Sequence, residues 1–340
     1  MAKAEKIIVT GGAGYIGSHT VVALVESGFE PVIVDDFSNA DHKVHERLET
    51  ITGKNLALYE GDCNDMDFMQ EVIEKEGSIT GIIHFAAFKA VGESVEKPLA
   101  YYKNNIGSLL VLLELMQRYA IDNFVFSSSC TVYGQPDKLP VTEDTPKKPA
   151  ESPYGNTKQV CEEIIEDFVK SAGQFKAISL RYFNPIGAHP SSLIGELPLG
   201  IPSNLVPFVT QTAAGLREKL VVFGDDYDTT DGTCIRDYIH VVDLAKAHVK
   251  AISFIQESQK AKLYEVFNLG TGKGNSVLEV IKTFETVTGE QLNYEIGPRR
   301  SGDVEQVYAS VDKSNEILGW QAELDLAQAL KDAWNWQKTL

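Results

Sequence analysis

The chain has 340 residues, 43% apolar and 23% charged, with 31 Lys and Arg against 48 Asp and Glu for a formal charge of −17. Such a composition folds around a core and excludes a disordered chain, and the length exceeds the roughly 250–300 residues at which one core stops growing, so a main domain plus a second lobe is expected. So acidic a surface repels phosphate backbones and anionic lipid, and no basic stretch interrupts it, so neither nucleic acid nor a membrane is an expected partner.

The opening Met1-Ala2-Lys3-Ala4-Glu5 runs straight into an apolar strand and reads as no secretory signal. The most apolar stretch, Leu109–Met116, is broken by Glu114 and is too short to span a bilayer. The four cysteines, Cys63, Cys130, Cys161 and Cys234, are widely spaced without a C-x-x-C. That is neither a metal-binding pattern nor a disulfide framework, and it fits a reducing cytoplasm.

In chain order, strands are predicted at Lys6–Thr10, Pro31–Asp35, Leu56–Glu60, Gly81–Phe85, Phe124–Ser127 and Ala177–Arg181, from short β-branched and apolar runs. Helical periodicity predicts helices at Ile16–Ser27, Asp67–Glu76, Leu99–Tyr119 and Tyr154–Ser171 between them. This alternation requires right-handed crossovers and predicts an α/β fold, a doubly wound parallel sheet of Rossmann type. Between Asn184 and Pro207 turn residues crowd and the alternation stops. Beyond lie a predicted helix at Tyr238–Ile255, a strand at Glu265–Leu269 returning to the main sheet, a helix at Val277–Thr288, a loop at Gly297–Gly302 and a final helix at Leu326–Gln337. The expected division is a nucleotide-binding domain at 1–184 with a returning segment at about 236–270, and a smaller mixed lobe for substrate at 185–235 and 271–340.

Gly11-Gly12-Ala13-Gly14-Tyr15-Ile16-Gly17 follows the first strand and opens the first helix. Glycines there permit a tight turn and let backbone N–H groups approach a pyrophosphate at the positive end of a helix. Glycine-rich turns after strands are common, but Asp35 ends the second strand about 20 residues on, where a carboxylate accepts hydrogen bonds from a ribose 2′-hydroxyl and repels a 2′-phosphate. No Arg or Lys stands among Asp36-Phe37-Ser38-Asn39, so NAD is favoured over NADP.

Tyr154 and Lys158 stand at i and i+4, on one helical face. A phenol with a reference pKa of about 10 is a poor base unless its anion is stabilised, and both an ammonium and the positive ring of NAD⁺ favour phenolate. Such pairs also occur as surface decoration. Here Pro153 marks a helix start, and Ser127-Ser128-Ser129 closes a predicted strand at the edge where open α/β sheets bind ligands. One of those serines could hydrogen-bond a reacting hydroxyl; the alternative is a solvated serine-rich loop.

Taken together, the motifs resemble the extended short-chain dehydrogenase/reductase superfamily and, within it, the UDP-glucose (UDP-galactose) 4-epimerases. The resemblance spans essentially the whole chain, through Thr10–His19, His84–Ala87, Lys89–Ser94, Ser127–Gly134, Ser152–Lys158, Leu180–Pro185, Arg236–Val241 and Arg299–Asp303. It implies that Gly11, Gly14, Tyr15, Ile16, Gly17, Asp35, Asp36, Asn39, Asp62, Cys63, Phe85, Ala86, Ala87, Lys89 and Asn104 surround NAD, with Phe183 bordering the nicotinamide. By the same resemblance Tyr154 is the base, Lys158 holds the nicotinamide ribose and tunes Tyr154, and Ser129 assists at the sugar hydroxyl. Asn184, Asn204, Leu205, Phe223, Arg236, Arg300 and Asp303 would hold the UDP-sugar. An acidic protein needs cations for a pyrophosphate, and Arg offers a bidentate fork, although each Arg alone also reads as a surface or ion-pair residue.

The implied reaction interconverts UDP-galactose and UDP-glucose by reversible oxidation at sugar C4 through a 4-keto sugar, with tightly bound NAD and no net redox change. A bulky Tyr at the position of Val307 accompanies preference for plain hexoses in the family, so Val307 suggests room for UDP-N-acetylhexosamines; it also reads simply as a buried strand residue. A homodimer through the helices at Leu99–Tyr119 and Tyr154–Ser171 is the family expectation, though their apolar faces could equally cover the sheet. Two rivals differ at definite residues. Dehydratase relatives carry Thr-Asp-Glu where this chain has Ser129-Cys130-Thr131, and a non-catalytic NAD sensor would not be expected to keep Tyr154, Lys158 and the arginines.

Overall fold

The structure, a computed structural model, describes residues 4–300 and 304–340. In chain order its elements are β1 (Lys6–Thr10), α1 (Tyr15–Glu26), β2 (Glu30–Asp35), α2 (Lys43–Thr52), β3 (Ala57–Glu60), α3 (Met66–Glu76), β4 (Ile79–His84), α4 (Val91–Glu96), α5 (Pro98–Tyr119), β5 (Asn123–Ser129), α6 (Pro153–Ser171), β6 (Phe175–Tyr182), β7 (Asn184–Ile186), α7 (Leu205–Ala213) and β8 (Leu220–Phe223). They continue with β9 (Ile235–His240), α8 (Val241–Glu257), β10 (Lys262–Leu269), β11 (Gly274–Ser276), α9 (Val277–Thr288), β12 (Tyr294–Gly297), β13 (Gln306–Val307) and α10 (Leu326–Gln337). The chain divides into two compact units.

The first unit comprises the described part of Met1–Gly134 with Pro146–Arg181 and Ala245–Phe267. Seven strands lie in the order β10-β6-β5-β4-β1-β2-β3, parallel from β5 through to β3. Order 3-2-1-4-5 reverses direction between β1 and β4, and a doubly wound sheet binds its ligand outside the carboxyl ends at such a point. Ile7, Ile8 and Val9 are wholly buried, as a strand covered by helices on both faces requires. Helix α5 lays Leu109, Leu112, Leu113 and Met116 into the core, each burial contributing roughly 1.5–3 kcal/mol. Leu99 (82% exposed), Leu110 (44%) and, on α4, Val95 (62%) face outward instead.

The second unit comprises Gln135–Thr145, Tyr182–Leu244 and the described part of Asn268–Leu340. Its core gathers Val206, Val209, Tyr238, Val280, Phe284, Leu330 and Trp334 beneath short strands: β9 pairs with β7, β11 and β13, and β8 with β12. Helix α9 starts on a capping box, Ser276 with Glu279, that satisfies two of its orphan N–H groups.

The long predicted elements are found within a residue or two of the expected bounds, except that the strand expected at Glu265–Leu269 begins three residues earlier, at Lys262. The helix expected at Tyr238–Ile255 needs correction: Tyr238, Ile239 and His240 end strand β9, and α8 begins at Val241. The reason is tertiary, because β7 pairs with those three residues (Asn184↔Tyr238, Pro185↔Ile239, Ile186↔His240) and His240 Nδ1 accepts the N–H of Val242 at 3.1 Å as the helix starts. Periodicity across one apolar run cannot show where a strand passes into a helix. Among the described residues no helix is long and apolar enough to cross a membrane, and all four cysteines are free thiols.

Candidate active site

The glycine loop is held open by packing. Gly11 has φ +70°, a left-handed conformation, and a Cβ there would meet the backbone of Ala86 at 2.7 Å; a Cβ on Gly17 would lie 2.1 Å from the Gly11 carbonyl oxygen. Helix α1 starts at this bend with Gly14 as its N-cap, with no side-chain cap and no acidic residue in its first turn. An uncapped N-terminus under a glycine turn is an anion cradle for a pyrophosphate.

Asp35, at the end of β2, is buried and accepts the N–H groups of Ala13 (2.9 Å) and Phe37 (3.0 Å). Burial pushes its carboxyl above the usual range and those two amides oppose the shift. It thus pins the glycine turn to the sheet, and a carboxylate with two such bonds still has lone pairs for two ribose hydroxyls. Asp36 turns out to Ser38, accepting from its N–H at 2.9 Å, and Asn39 is exposed beyond it. Asp62 is exposed and Cys63 buried after β3. Asn64 links Asp62 (2.9 Å) to Asn104 (3.1 Å), so those two predicted residues share one cluster. Phe85 and Ala86 both donate their N–H to Thr10 O (2.9 and 3.1 Å), which carries the 85–89 loop up to the glycine turn; Ala87 is half-buried and Lys89 exposed.

Tyr154 and Lys158 occupy the first turns of α6, whose start is set by Pro153 and by Ser152, which accepts the Gly155 N–H at 3.1 Å. Tyr154 is half-buried, and Ser129, the serine beside it, acts on the phenol against the effect of burial. Burial pushes the Tyr154 phenol up to about 12 and draws Lys158 down to about 8. The Lys158 ammonium donates to Ser127 O at 2.7 Å and lies 5.9 Å from the Tyr154 ring centre. Desolvation is the largest influence on the Tyr154 phenol and Ser129 opposes it, so the cationic support expected from Lys158 and the NAD⁺ ring has that burial to offset.

Three buried groups nearby have no role assigned from the sequence. His84 is wholly buried, held neutral with a pKa near about 3 by burial, and bonded to Thr10 Oγ1 at 2.7 Å. Asn105 clamps both backbone groups of Phe88 (N–H at 2.8 Å, C=O at 3.1 Å) and donates to Thr157 Oγ1 at 3.0 Å. Glu162 stands one turn beyond Lys158 and pairs with Arg181.

In the second unit, Phe183 is buried and Asn184 opens β7. Asn204 and Leu205 begin α7, another helix with no side-chain cap and no acid in its first turn; Asn204 Nδ2 donates to Glu196 Oε1 at 2.7 Å. Phe223, 44% exposed, ends β8 with the Arg300 guanidinium 5.8 Å from its ring centre. Arg236 lies opposite Val307 in the β9–β13 register. Asp303 lies outside the described residues. The exposed Arg299 adds a contact that spacing does not reveal, bonding Asp226 Oδ1 at 2.6 Å and covering the Tyr227 ring at 4.0 Å.

A family model described as GDP-mannose 4,6 dehydratase matches residues 8–333. The UDP-glucose 4-epimerase of Bacillus subtilis (strain 168) is 49% identical over 333 residues, 98% of this chain and 97% of the relative. That of Neisseria meningitidis serogroup B (strain MC58) is 48% identical over 332 residues, with the same coverage. The crystal structure of UDP-glucose 4-epimerase from Bifidobacterium longum in complex with NAD⁺ and UDP is 47% identical, with a TM-score of 0.93 over 98% of each chain. At about half identity over nearly the full length of both chains, this chain belongs to the family of UDP-glucose 4-epimerases.

Proposed function

We infer that the protein interconverts UDP-galactose and UDP-glucose. The observation that carries this reading is the grouping of Tyr154 with Ser129 and a buried Lys158, whose ammonium lies 5.9 Å from the Tyr154 ring centre, in a chain about half identical to named epimerases over nearly its full length. The cradle at α1, the Asp35 carboxylate and the 85–89 loop fit NAD. When bound, that cofactor supplies the acceptor and donor for the C4 hydrogen and a positive ring that favours the Tyr154 phenolate. Tyr154 Oη takes the proton of the sugar O4 hydroxyl and later returns it, Ser129 Oγ holds that hydroxyl in line, and Lys158 keeps a cation beside the pair. Arg236, Arg300 and the uncapped start of α7 anchor the two phosphates, and Phe223 offers its face to the uracil. Binding energy drawn from UDP leaves the sugar loosely held, which it must be to present both faces of C4. The turn Cys130–Tyr133 carries no carboxylate, so the acid and base that a dehydratase needs for water elimination are missing.

The first unit is read as the cofactor domain and the second as the UDP-sugar lobe, and the free thiols suit a reducing compartment such as the cytoplasm. Incubating the purified protein with UDP-galactose and no added NAD, followed by NMR, tests the reaction. An equilibrium mixture with UDP-glucose is expected, while a blank both without and with added NAD would overturn the reading.

Two finer points belong to the same proposal. Val307, half-buried opposite Arg236, leaves room for an N-acetyl group, so UDP-N-acetylglucosamine turnover is expected and Val307→Tyr should lower it relative to UDP-glucose by about tenfold. An unchanged ratio would show that residue 307 does not set substrate scope. The outward Leu99, Leu110 and Val95 of α4 and α5 suit a homodimer contact, since exposed apolar side chains grouped on neighbouring helices mark interfaces. Gel filtration should give twice the chain mass; a monomer would reject the dimer.

A further inference from the structure

The serine run carries two contacts of the reaction centre, Ser127 O with Lys158 and Ser129 with Tyr154. Between them stands Ser128, 1% exposed, whose hydroxyl donates to Glu162 Oε1 at 2.6 Å. Successive side chains of a strand point to opposite faces, so Ser128 reaches away from Ser129. Glu162 is four residues beyond Lys158 on α6, hence on the same side of that helix.

Glu162 cannot drift. Arg181, near the end of β6, grips it as a fork, with Nε at 2.9 Å from Oε1 and one terminal nitrogen at 2.7 Å from Oε2, while Lys147 adds a contact of 2.8 Å. Arg181 is in turn held by Tyr133 Oη at 2.8 Å, over whose ring it lies at 4.8 Å. Glu162 and Arg181 are 1% and 3% exposed, and a buried carboxylate with both oxygens engaged by an arginine fork has one orientation available.

We propose that Ser128 and Glu162 are positioning residues for the epimerisation: their hydrogen bond sets the end of β5 against α6 and so fixes the Lys158–Ser127 and Tyr154–Ser129 contacts together. The proposal rests on Tyr154 being the base. It goes beyond stability because the bond joins the strand that carries Ser129 to the helix that carries Tyr154, with Ser128 next to both Ser127 and Ser129 and Glu162 four residues from Lys158. Loosened, it would let Lys158 retreat from the phenol, and the base would become harder to ionise.

Ser128→Ala tests this, with Tyr133→Phe as its counterpart, since both delete one buried hydroxyl of the cluster but only the first breaks the strand-to-helix link. For Ser128→Ala, kcat with UDP-galactose at pH 7 should fall about tenfold, the factor for one unit in the pKa of the base, with KM within about twofold and the deficit narrowing as pH rises. Ser128→Thr, which keeps the hydroxyl, should recover most of the loss, and Tyr133→Phe should keep kcat within about twofold even where its Tm drops. An unaltered kcat in Ser128→Ala, an equal loss in Tyr133→Phe, or a threonine variant no better than the alanine one would reduce the cluster to a structural brace and overturn the proposal. Tyr154→Phe assayed alongside keeps the two readings apart: activity there removes the base assignment itself, whereas its loss beside an intact Ser128→Ala removes only the positioning role.

Discussion

Tyr154→Phe should lower turnover of UDP-galactose by at least about 10²–10⁴-fold, the range that a positioned acid–base group contributes. Phenylalanine keeps the ring at the start of α6 and deletes only the hydroxyl beside Ser129, so folding and bound nucleotide should persist while the proton transfer is lost. The pKa values explain why the loss should be large. With the phenol pushed up to about 12 by burial, only roughly 10⁻⁵ of it is ionised at pH 7, so the proposed role as base requires the further positive charge that bound NAD⁺ would bring. Lys158, drawn down to about 8, is still mostly protonated at pH 7 and supplies its charge there, but it loses that charge as pH rises past 8. The signs therefore oppose: higher pH favours the phenolate and removes the cation that supports it, and kcat should pass through a maximum. NMR conversion and the absorbance of released nucleotide check both halves. Turnover within about tenfold of the parent would take Tyr154 out of the role.

Gly17→Ala should abolish retention of NAD. A Cβ 2.1 Å from the Gly11 carbonyl oxygen meets backbone, which cannot rotate aside as a side chain would, so either the start of α1 or the turn itself must move. Either movement takes the first-turn N–H groups off the pyrophosphate they are shaped to meet. The sheet should survive, because β1 is locked between β2 and β4 over its whole length. The variant is thus expected to show native-like circular dichroism, with nucleotide per chain at least about tenfold below the parent, and no turnover until NAD is added in excess. A near-stoichiometric nucleotide content would show that the cofactor does not sit on this turn.

The elements that read cleanly from the sequence are those whose pattern is local. Ile7, Ile8 and Val9 make an apolar run that only a covered strand uses, the glycines of the first turn are spaced for one bend, and Pro153 with Ser152 marks the start of α6. Tyr154 and Lys158 could be placed on one helical face from their spacing alone. The choice of Ser129 over its two neighbours came from resemblance, and a physical reason appears only in the structure, where Ser128 turns to Glu162 and Ser129 stands by Tyr154.

Other features had no local signature to read. The three-residue strands β7 and β11 and the two-residue β13 exist because β9 offers them edges, and the same pairing makes a strand of Tyr238–His240, which periodicity assigns to the following helix. Glu162 and Arg181, 19 residues apart, look like ordinary charges until burial makes each the condition of the other. Nor does spacing reveal that Asn105 grips Phe88, or that Asn64 joins Asp62 to Asn104.

The amino-acid sequence by itself determined the alternating architecture, the glycine turn with its acidic partner and the placing of Tyr154 and Lys158 on one helical face, because hydrophobic period, glycine stereochemistry and helical spacing act within a few residues. Only the tertiary structure decided which polar groups lose their water, and with that the raised pKa of Tyr154, the lowered pKa of Lys158 and the Ser128–Glu162–Arg181 link. Desolvation and long-range pairing depend on what the rest of the chain brings alongside, and no stretch of sequence carries that information alone.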